Sequence, residues 1–399
     1  MINLLYDLQL SVLDSLDDGN FIMTTDSNVN VATVLIKNLL NLSNNIKIYV
    51  LVPPKSKILN FKNYLLSDIQ SSNLDFIEYK YYGNPFVDRM SFFSRDLIQS
   101  LKNLKVDIVY TNDPCKVLGY KTVLYSLLSK PVPVMSRNHW VTGKTDYKVP
   151  QYIDFALRQC EGALYSDNAT FNSKFAVDSF LYNAEQYLNK ETIESLSKKL
   201  DHIECVDIDK IDQYRTDEKF DEFTMIFANR LSYYTGWKET LDAINRLWKR
   251  RKDFQVIVPD PGNKFKQEDL FSEYNFIKTV NKDTWTHEDY IKTCWKVDAC
   301  IGNHKYPATW GGLAITEPMA AYSIPIIPKR HAYLEMFDSD SHSFFTDEND
   351  LIRAIEFYLD NREILEKDKL RARAFCEKNL SPQKFAEFIL DKLNMLCIS

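Results

Sequence analysis

Short apolar runs rich in β-branched residues alternate with longer stretches whose apolar residues recur at three- and four-residue spacing, and this alternation limits the fold more than any other feature. It is typical of parallel sheets whose strands are connected by crossover helices. In the first half it predicts helices at 29–42 and 87–104. The predicted strands there are 46–52, 74–82, 106–112, 131–138, 162–167 and 202–208. The first strand is either 2–8 or 20–26, and this half is predicted to form one doubly wound α/β domain.

The alternation restarts after a polar, acidic stretch at 209–222, which is typical of an interdomain linker. Beyond it the predicted strands are 224–230, 254–259, 275–280, 298–303 and 324–328, and the predicted helices are 237–251 and 286–297. The predicted domains are a Rossmann-like domain at 1–210, a linker at 211–222, a second Rossmann-like domain at 223–380, and a helix at 381–399 that returns to the first domain. Open α/β sheets bind ligands at the carboxyl ends of their strands, so we expect a binding cleft between the two domains.

The composition limits the partners and the compartment. With 399 residues the chain can form two domains, and its formal net charge of −6 argues against a surface that binds nucleic-acid backbones everywhere, although a local basic patch stays open. No apolar run reaches the roughly 18 residues that span a bilayer, and the N-terminus lacks the features of a signal peptide. Seven scattered cysteines without a CxxC pair indicate neither a disulfide framework nor a zinc site. We therefore expect a cytoplasmic protein without a membrane span.

The stretch TWGGLAITEPMAAYSIPIIP at 309–328 carries two glycines and a single carboxylate in an otherwise apolar run. Gly311 and Gly312 precede a predicted helix, where main-chain N–H groups can face an anion such as a diphosphate. Glu317 follows on the first or second turn, near enough to the same ligand to accept hydrogen bonds from two ribose hydroxyls. The alternative is that the glycines only form a turn and that Glu317 faces water.

A second polar segment, FANRLSYYTGWKETLDAI at 227–244, joins a predicted strand to a helix. Arg230 ends the strand, and Gly236 and Lys238 precede the helix. Two cations at the carboxyl end of a strand could neutralise a departing diphosphate, which is a large electrostatic effect in a cleft of low dielectric constant. For Lys238 the alternative is a solvated lysine at a helix start.

Other candidate side chains lie just after predicted strands or just before a helix. His139 could bind a ligand, or it could pack beside Trp140. Asn112 and Asp113 could bind the sugar or its acceptor, while Asp113 could equally cap a helix. Trp285 could stack on a base or belong to the core.

Both polar segments resemble signature stretches of retaining glycosyltransferases with the GT-B fold, those similar to glycosyl transferases group 1. The stretch at 230–244 is similar to the strand-to-helix segment R-L-x-x-x-K-G, and 309–327 is similar to E-G-F-G-L-x-x-x-E-A-M-A-x-G-x-P-V-I. PVPVMSRNHW resembles the strand of the first domain that ends in a histidine, and the final helix resembles the one that crosses back to that domain. The resemblance covers most of the chain and implies two Rossmann-like domains facing a central cleft.

The resemblance also implies that the second domain binds a nucleoside-diphosphate sugar, with UDP as the expected nucleotide. Glu317 would bind the ribose, and Arg230 with Lys238 would bind the diphosphate. The phosphate or the sugar would contact the main chain at Gly311, Gly312 and Leu313.

The chain departs from the family pattern at two positions. Thr309 stands in place of an earlier glutamate, and Thr235 in place of a lysine before glycine. Thr309 can hydrogen-bond a sugar hydroxyl but carries no charge, so His304 or Lys238 would have to compensate near the anomeric carbon. On the first domain, the resemblance implies that His139 faces the sugar.

For the reaction, the resemblance implies sugar transfer with retention, in which the departing phosphate oxygen takes the proton of the acceptor. No metal or other cofactor is expected. Asp338 and Asp340 have DxD spacing, but they follow the helix and strand of the donor site, which is typical of a loop. No pair of carboxylates at glycosidase spacing is evident.

The acceptor is less determined than the donor. The basic run WKRRK at 248–252 and a resemblance of 312–337 to glycosyltransferases that modify a nucleobase in RNA favour nucleic acid. The leading hypothesis is a modified base in DNA, as in bacteriophage enzymes that glycosylate hydroxymethylated bases. WKRRK could equally be the exposed end of a helix, and a polysaccharide or small-molecule acceptor stays open.

Two further functional classes remain as alternatives. The chain could be a degenerate, non-catalytic protein that binds sugar nucleotides, because Thr309 replaces a charged residue. A two-domain oxidoreductase is disfavoured because no GxGxxG follows a predicted strand.

Overall fold

The computed structural model describes residues 1–8, 27–52, 69, 71–78, 95–139, 150–229, 231, 233–259, 272–280, 285–305 and 312–398. The chain divides into two compact units, unit 1 with Met1–Glu204 and Pro382–Ser399, and unit 2 with Cys205–Ser381. Each unit has a sheet of parallel strands connected by helices, so the predicted α/β class is confirmed.

The elements are numbered in chain order over the described residues. The strands are β1 (Ile2–Asp7), β2 (Ile46–Val52), β3 (Leu74–Glu78), β4 (Ile108–Thr111), β5 (Val134–Asn138), β6 (Asn168–Phe171), β7 (Leu200–His202), β8 (Phe223–Ile226), β9 (Phe254–Val258), β10 (Ile277–Thr279), β11 (Ala299–Ile301), β12 (Ile324–Pro328) and β13 (Phe344–Phe345). The helices are α1 (Ser27–Leu42), α2 (Arg95–Leu101), α3 (Val117–Leu128), α4 (Pro150–Tyr165), α5 (Lys174–Ala184), α6 (Lys190–Ser197), α7 (Ile208–Gln213), α8 (Trp237–Trp248), α9 (His287–Lys296), α10 (Leu313–Ala320), α11 (Glu348–Asp360), α12 (Arg362–Asn379) and α13 (Pro382–Ile398).

The sheet of unit 1 has the strand order β3-β2-β1-β4-β5-β6-β7, and the order reverses direction between β1 and β4. Its register pairs Leu4 with Ile48 on one side and with Ile108 on the other, so apolar side chains lie in line across the sheet. Val109 and Val134 belong to a core cluster that also includes residues of α3. Burial of each such aliphatic side chain contributes about 1.5–3 kcal/mol, which explains why the β-branched runs become these strands.

Most predicted elements of unit 1 are confirmed. The strand β2 has the predicted bounds, and β1 is the first of the two candidate first strands; the second, 20–26, lies outside the described residues. The C-terminal helix α13 contacts α1 and belongs to unit 1.

The predicted strand at 162–167 is wrong, because α4 continues to Tyr165 and strand β6 follows it. Ala156, Cys160 and Ala163 are buried at four- and three-residue spacing, which is the periodicity of a helix. Gly162 lies inside this helix. A larger residue would not fit there, because a Cβ would be 2.0 Å from the main-chain oxygen of Pro114. The glycine marks a close packing contact rather than a turn.

The sheet of unit 2 has the strand order β10-β9-β8-β11-β12-β13, which reverses direction between β8 and β11. Met225 on β8 is paired with Val256 on β9 and with Ala299 on β11, and all three side chains are fully buried. The predicted strands at 224–230 and 298–303 are confirmed in place but are shorter, since β8 ends at Ile226 and β11 ends at Ile301. The polar residues that follow each strand therefore lie beyond the sheet.

Part of the stretch predicted to be a linker is a helix of unit 2. In α7, Asp212 accepts hydrogen bonds from both terminal nitrogens of Arg373, each at 2.8 Å. The indole nitrogen of Trp295 donates to the main-chain oxygen of Ile211 at 2.8 Å. These contacts explain why an acidic, polar segment is ordered here.

In the part of the chain that the structure describes, no helix is both long enough and apolar enough to cross a bilayer.

Candidate functional site

Polar side chains converge at the carboxyl ends of three neighbouring strands of unit 2. Asn229 follows β8, Asn303 and His304 follow β11, and Arg330 follows β12. Open α/β sheets bind ligands where the strand order reverses, and here it reverses between β8 and β11. These four residues, called the switch-point cluster below, lie where such a fold holds its ligand.

His304 is a neutral hydrogen-bonding group of this cluster. Its Nε2 donates to Asn229 Oδ1 at 2.8 Å. Burial lowers the pKa of His304 to about 4, and the charge of Arg330 adds to the effect. The ring is therefore uncharged at pH 7 and cannot supply the compensating charge considered from the sequence. Asn229 Nδ2 is buried and has no hydrogen-bond partner among the described residues, which leaves a donor at the strand reversal.

Asn303 joins the strand ends to the start of α8. Its Nδ2 donates to Thr240 Oγ1 at 3.0 Å and to the main-chain oxygen of Gly236 at 3.3 Å, while its Oδ1 accepts from Arg330 Nη2 at 2.9 Å. Gly236 has a φ of 59°, and a Cβ there would lie 2.6 Å from the main-chain oxygen of Asn303. The glycine before α8 is therefore required by its backbone conformation and by this close approach.

The helix α10 begins directly after Gly312, which has φ 60° and ψ −167°. This region of backbone conformation is open almost only to glycine. The main-chain oxygen of Gly312 accepts from the N–H groups of Ile315 and Thr316, and no side chain of a described residue caps the helix start. The first N–H groups of α10 have no partner within the helix, so this end can accept an anion.

Replacing Gly312 with alanine should destabilise the protein by about 1–3 kcal/mol, because an alanine must adopt the same left-handed φ. No described residue would clash, since none has an atom within 4 Å of a Cβ placed at this position. Urea unfolding measures the change, with the exposed loop variant Asp340→Ala as the control. A Gly312→Ala protein as stable as the Asp340→Ala protein would contradict the conformational argument.

Glu317 on α10 is buried, with 5% of the residue exposed. Its Oε1 lies 3.1 Å from Nε2 of His287, the first residue of α9. The alternative in which Glu317 faces water is thus wrong. Its partner is a histidine 30 residues earlier in the chain.

The surroundings of this pair are aromatic and weakly polar. The His287 ring stacks on Tyr290 with 5.8 Å between centroids, and Trp285 meets Tyr290 edge to face at 5.9 Å. Burial raises the pKa of the Tyr290 hydroxyl and of the Cys294 thiol, and the Glu317 charge adds to both shifts. Both groups are therefore protonated at neutral pH. Trp285 contacts the edge of Tyr290 and remains our candidate for stacking on a base.

The remaining predicted donor residues of unit 2 differ in their placement. Lys238 is 61% exposed on the first turn of α8 and lies 3.5 Å from Asp242, as in the alternative of a solvated helix-start lysine. Leu313 is the first residue of α10. Arg230, Thr309 and Gly311 lie outside the described residues.

The basic run WKRRK lies at the exposed end of α8 and is paired with acidic side chains. Arg250 contacts Glu356 at 2.9 Å, and Arg251 contacts Asp253 and Asp360 at 2.7 Å each. These acidic partners offset the positive charge that a nucleic acid would require.

In unit 1, His139 follows β5 and is held by Asn172. Asn172 Nδ2 donates to the main-chain oxygen of His139 at 3.3 Å and lies 2.9 Å from its Nδ1. Because the same amide nitrogen faces both atoms, Nδ1 is an acceptor and the ring proton is on Nε2. Burial, together with the charge of Arg137, lowers the pKa of His139 to about 3. His139 is therefore neutral at pH 7 and can donate through Nε2.

Asn112 and Asp113 follow β4, next to the strand reversal of unit 1. Asp113 Oδ1 accepts from Cys115 N at 3.0 Å, so this side chain does cap a short 3-10 turn, while its buried Oδ2 has no partner in the described part of the chain. Asn112 Nδ2 donates to the main-chain oxygen of Leu8 at 3.1 Å, and no described residue contacts its buried Oδ1 through a hydrogen bond. Two unused acceptor oxygens thus lie on adjacent residues of this turn.

A buried ion pair lies beside these residues. Asp7 Oδ2 at the end of β1 accepts from Lys116 Nζ at 3.0 Å and from the Tyr120 hydroxyl at 2.6 Å. The pKa of Asp113 is raised to about 6, mainly by burial, and Lys116 opposes the rise.

Lowering the pH from 7 to 5 should destabilise the protein through His139 and His304. Their folded pKa values, about 3 and about 4, lie below the ~6.5 of an unfolded histidine. Between these values the unfolded chain binds more protons, so stability falls as the pH falls, by up to about 1.4 kcal/mol per pH unit for each histidine. Asp113, with its raised pKa, acts in the opposite direction.

The double variant His139→Asn and His304→Gln isolates the histidine contribution, because both amides retain the hydrogen bond and neither titrates. Urea unfolding at the two pH values should show a smaller loss of stability for the double variant than for the natural sequence. Asp113 is common to both proteins, so its contribution cancels. Equal losses in the two proteins would contradict the assignment.

The structure brings five residues to these sites that the sequence did not single out: His287, Asn229, Asn303, Arg330 and Asn172. His287 carries a local signal only for a helix start, since Thr286 and Asp289 form a capping box around it. Asn229 and Arg330 each follow a strand, and that position could have suggested a site.

Among the described residues, no group of three or more His, Cys, Asp or Glu side chains is arranged to hold a metal ion.

No family model matches the sequence. A relative is the tRNA-queuosine alpha-mannosyltransferase of Drosophila melanogaster, which is 24% identical over 215 residues. The match covers 47% of this chain and 54% of the relative, so the chain spans about half the length of that protein.

Solved structures match over nearly the whole chain. A glycosyltransferase from Rickettsia africae ESF-5 has a TM-score of 0.70 at 14% identity, with 99% of this chain and 98% of the other covered. Anabaena Alr3699/HepE in complex with UDP-glucose has a TM-score of 0.67 at 13% identity, with 99% and 100% covered. At these identities the likeness establishes the fold, which is the GT-B fold of two Rossmann-like units.

Proposed function

We propose that this chain is a retaining glycosyltransferase that moves a sugar from a UDP-sugar to a hydroxyl group of a modified nucleobase. The observation that carries the proposal is the buried Glu317 carboxylate, which lies on the same short helix as the uncapped start after Gly312. A carboxylate for a ribose and a helix start for a phosphate are the two contacts that a nucleoside diphosphate requires. The HepE structure with UDP-glucose supports a UDP-sugar as the donor.

The donor roles follow from the chemistry of each group. In this proposal Glu317 binds the ribose, and Arg230 and Lys238 bind the diphosphate. Trp285 stacks on the base. His304 and Thr309 would hydrogen-bond the sugar as neutral groups. The main-chain contacts to the phosphate or the sugar are assigned to Gly311, Gly312 and Leu313.

Retention by attack on the same face needs no protein nucleophile and no covalent intermediate. In the proposed reaction the bond between the anomeric carbon and the phosphate oxygen breaks, and the acceptor oxygen attacks from the same face. The proton of the acceptor hydroxyl passes to the departing phosphate oxygen. Cations and N–H groups stabilise the charge that develops on the diphosphate, which is the main contribution of the protein.

On unit 1 we propose that the Nε2–H group of His139 donates a hydrogen bond to the sugar and that Asn112 and Asp113 bind the acceptor. The unused oxygens of Asn112 and Asp113 can accept hydrogen bonds from hydroxyl groups. The relative named for a tRNA base favours an acceptor base in RNA, whereas the sequence suggested a modified base in DNA. The basic run at 248–252 supports neither choice, because Arg250 and Arg251 are paired with acidic side chains.

The test is incubation of the full chain with UDP-glucose, UDP-galactose, UDP-N-acetylglucosamine and GDP-mannose, each with modified DNA, bulk tRNA or an oligosaccharide panel. A mass gain of one sugar on a nucleobase, found by nucleoside mass spectrometry, is the expected result. A mass gain only on oligosaccharides would replace the acceptor proposal.

Slow release of UDP without an acceptor separates an enzyme from a degenerate binding protein, because only an intact transferase hydrolyses its donor. Binding without any release or transfer would assign the chain to the non-catalytic alternative.

A further inference from the structure

We propose that His287 is a positioning residue that orients the Glu317 carboxylate toward the ribose diol of the donor. This inference rests on the proposed function. It starts from the 3.1 Å contact between His287 Nε2 and Glu317 Oε1 and from the burial of both side chains, which are 10% and 7% exposed.

The described residues provide little compensation for the charge of Glu317. Among the described residues, no lysine or arginine lies within ion-pair distance of this carboxylate. Its other neighbours include Tyr290 and Cys294, which burial keeps protonated. Among the described residues only His287 donates to this buried carboxylate, and a ligand that brings hydroxyl groups would supply further donors.

The hydrogen-bonding capacity of the carboxylate points to the same ligand. An ionised carboxylate offers about four acceptor positions, and His287 occupies one of them on Oε1. The remaining positions include those of Oε2. A vicinal diol supplies two O–H donors at a spacing that one carboxylate can accept together.

A fixed histidine is required because the terminal torsion of a glutamate is broad, so an unanchored carboxylate rotates freely. His287 is itself fixed. It is the first residue of α9, directly after Thr286, which accepts from Asp289 N at 3.1 Å while its own N–H donates to Asp289 at 2.9 Å. The ring stacks on Tyr290. The capping box and the stack therefore fix the His287 ring, and the ring in turn fixes the Glu317 carboxylate.

Two variants distinguish the effect of the His287 N–H group from the effect of its aromatic ring. His287→Phe keeps the aromatic stack on Tyr290 but removes the N–H group, whereas His287→Gln supplies an amide N–H at a similar reach. Calorimetric titration of each full-length protein with UDP and with 2′,3′-dideoxy-UDP measures how strongly the ribose hydroxyls contribute. The readout is the ratio of the two dissociation constants.

The natural sequence should prefer UDP over the dideoxy nucleotide. His287→Phe should reduce this preference on the order of tenfold, the value of one hydrogen bond to a charged group. Its affinity for dideoxy-UDP should change little, and His287→Gln should restore most of the preference. If His287 had only a structural role, its replacement would instead weaken the binding of both nucleotides equally.

An unchanged preference in His287→Phe, or an equal loss for both nucleotides, overturns the positioning role while leaving the proposed function intact. Failure of the natural sequence to bind either nucleotide overturns the proposed function itself. If circular dichroism shows that His287→Phe does not fold, His287→Asn takes its place, since its shorter amide does not reach Glu317. An unchanged preference for UDP in His287→Asn likewise overturns the positioning role.

Discussion

Replacing Glu317 with glutamine is expected to weaken the binding of UDP about 10²-fold while the protein stays folded. Each hydrogen bond to a charged acceptor contributes about 1.5–3 kcal/mol, and the proposed site makes two of them with the ribose. Glutamine has the same shape and can still accept from His287 through its oxygen. Its amide nitrogen cannot accept from a hydroxyl, and its oxygen carries no charge. Isothermal titration of the natural sequence and the variant measures the change.

The control for this prediction is Glu363→Gln, which removes one carboxylate from an exposed position on the first turn of α12. Its affinity for UDP should match that of the natural sequence. If Glu317→Gln also binds UDP with unchanged affinity, the buried carboxylate has a purely structural role and the donor site lies elsewhere.

The element types of both sheets were predictable because hydrophobic periodicity is a local property. The apolar runs that became β2 and β12 are bounded by polar or turn residues and have no competing helical pattern. The error at 162–167 has a specific cause. The short apolar run at 162–167 matched the pattern of a buried strand, whereas Gly162 lies in α4 and serves its contact with Pro114. A tertiary contact of this kind leaves no local pattern.

The candidate site was predictable only in part, for a similar reason. The sequence showed Glu317 as a single carboxylate in an apolar run, and such a group is costly to bury without a partner. It could not name His287, since that pairing depends on how α9 packs beside α10. Asn229 was assigned to a strand that in fact ends at Ile226, so its place at the strand reversal became visible only with the sheet order.

The second large effect is expected at Arg230, which lies outside the described residues between Asn229 and Leu231. Both neighbours are buried at the carboxyl end of β8, where the strand order reverses. Arg230→Ala should lower kcat by about 10²–10³-fold or more, because one preorganised donor that stabilises developing charge contributes this much in other enzymes. The affinity for UDP should fall less, since the charge on the diphosphate grows as the sugar departs.

Steady-state transfer and UDP release measure kcat, and titration with UDP measures binding in the same proteins. Arg230→Lys should recover part of kcat, because the ammonium retains the charge but loses the planar fork of donors. The matched control is Arg246→Ala, which removes an arginine on α8 that is 49% exposed and paired with Glu348. Surface pairs of this kind contribute little, so its kcat should be unchanged. If Arg230→Ala retains full turnover, the diphosphate must be neutralised by other groups, and Arg330 of the switch-point cluster becomes the first to test.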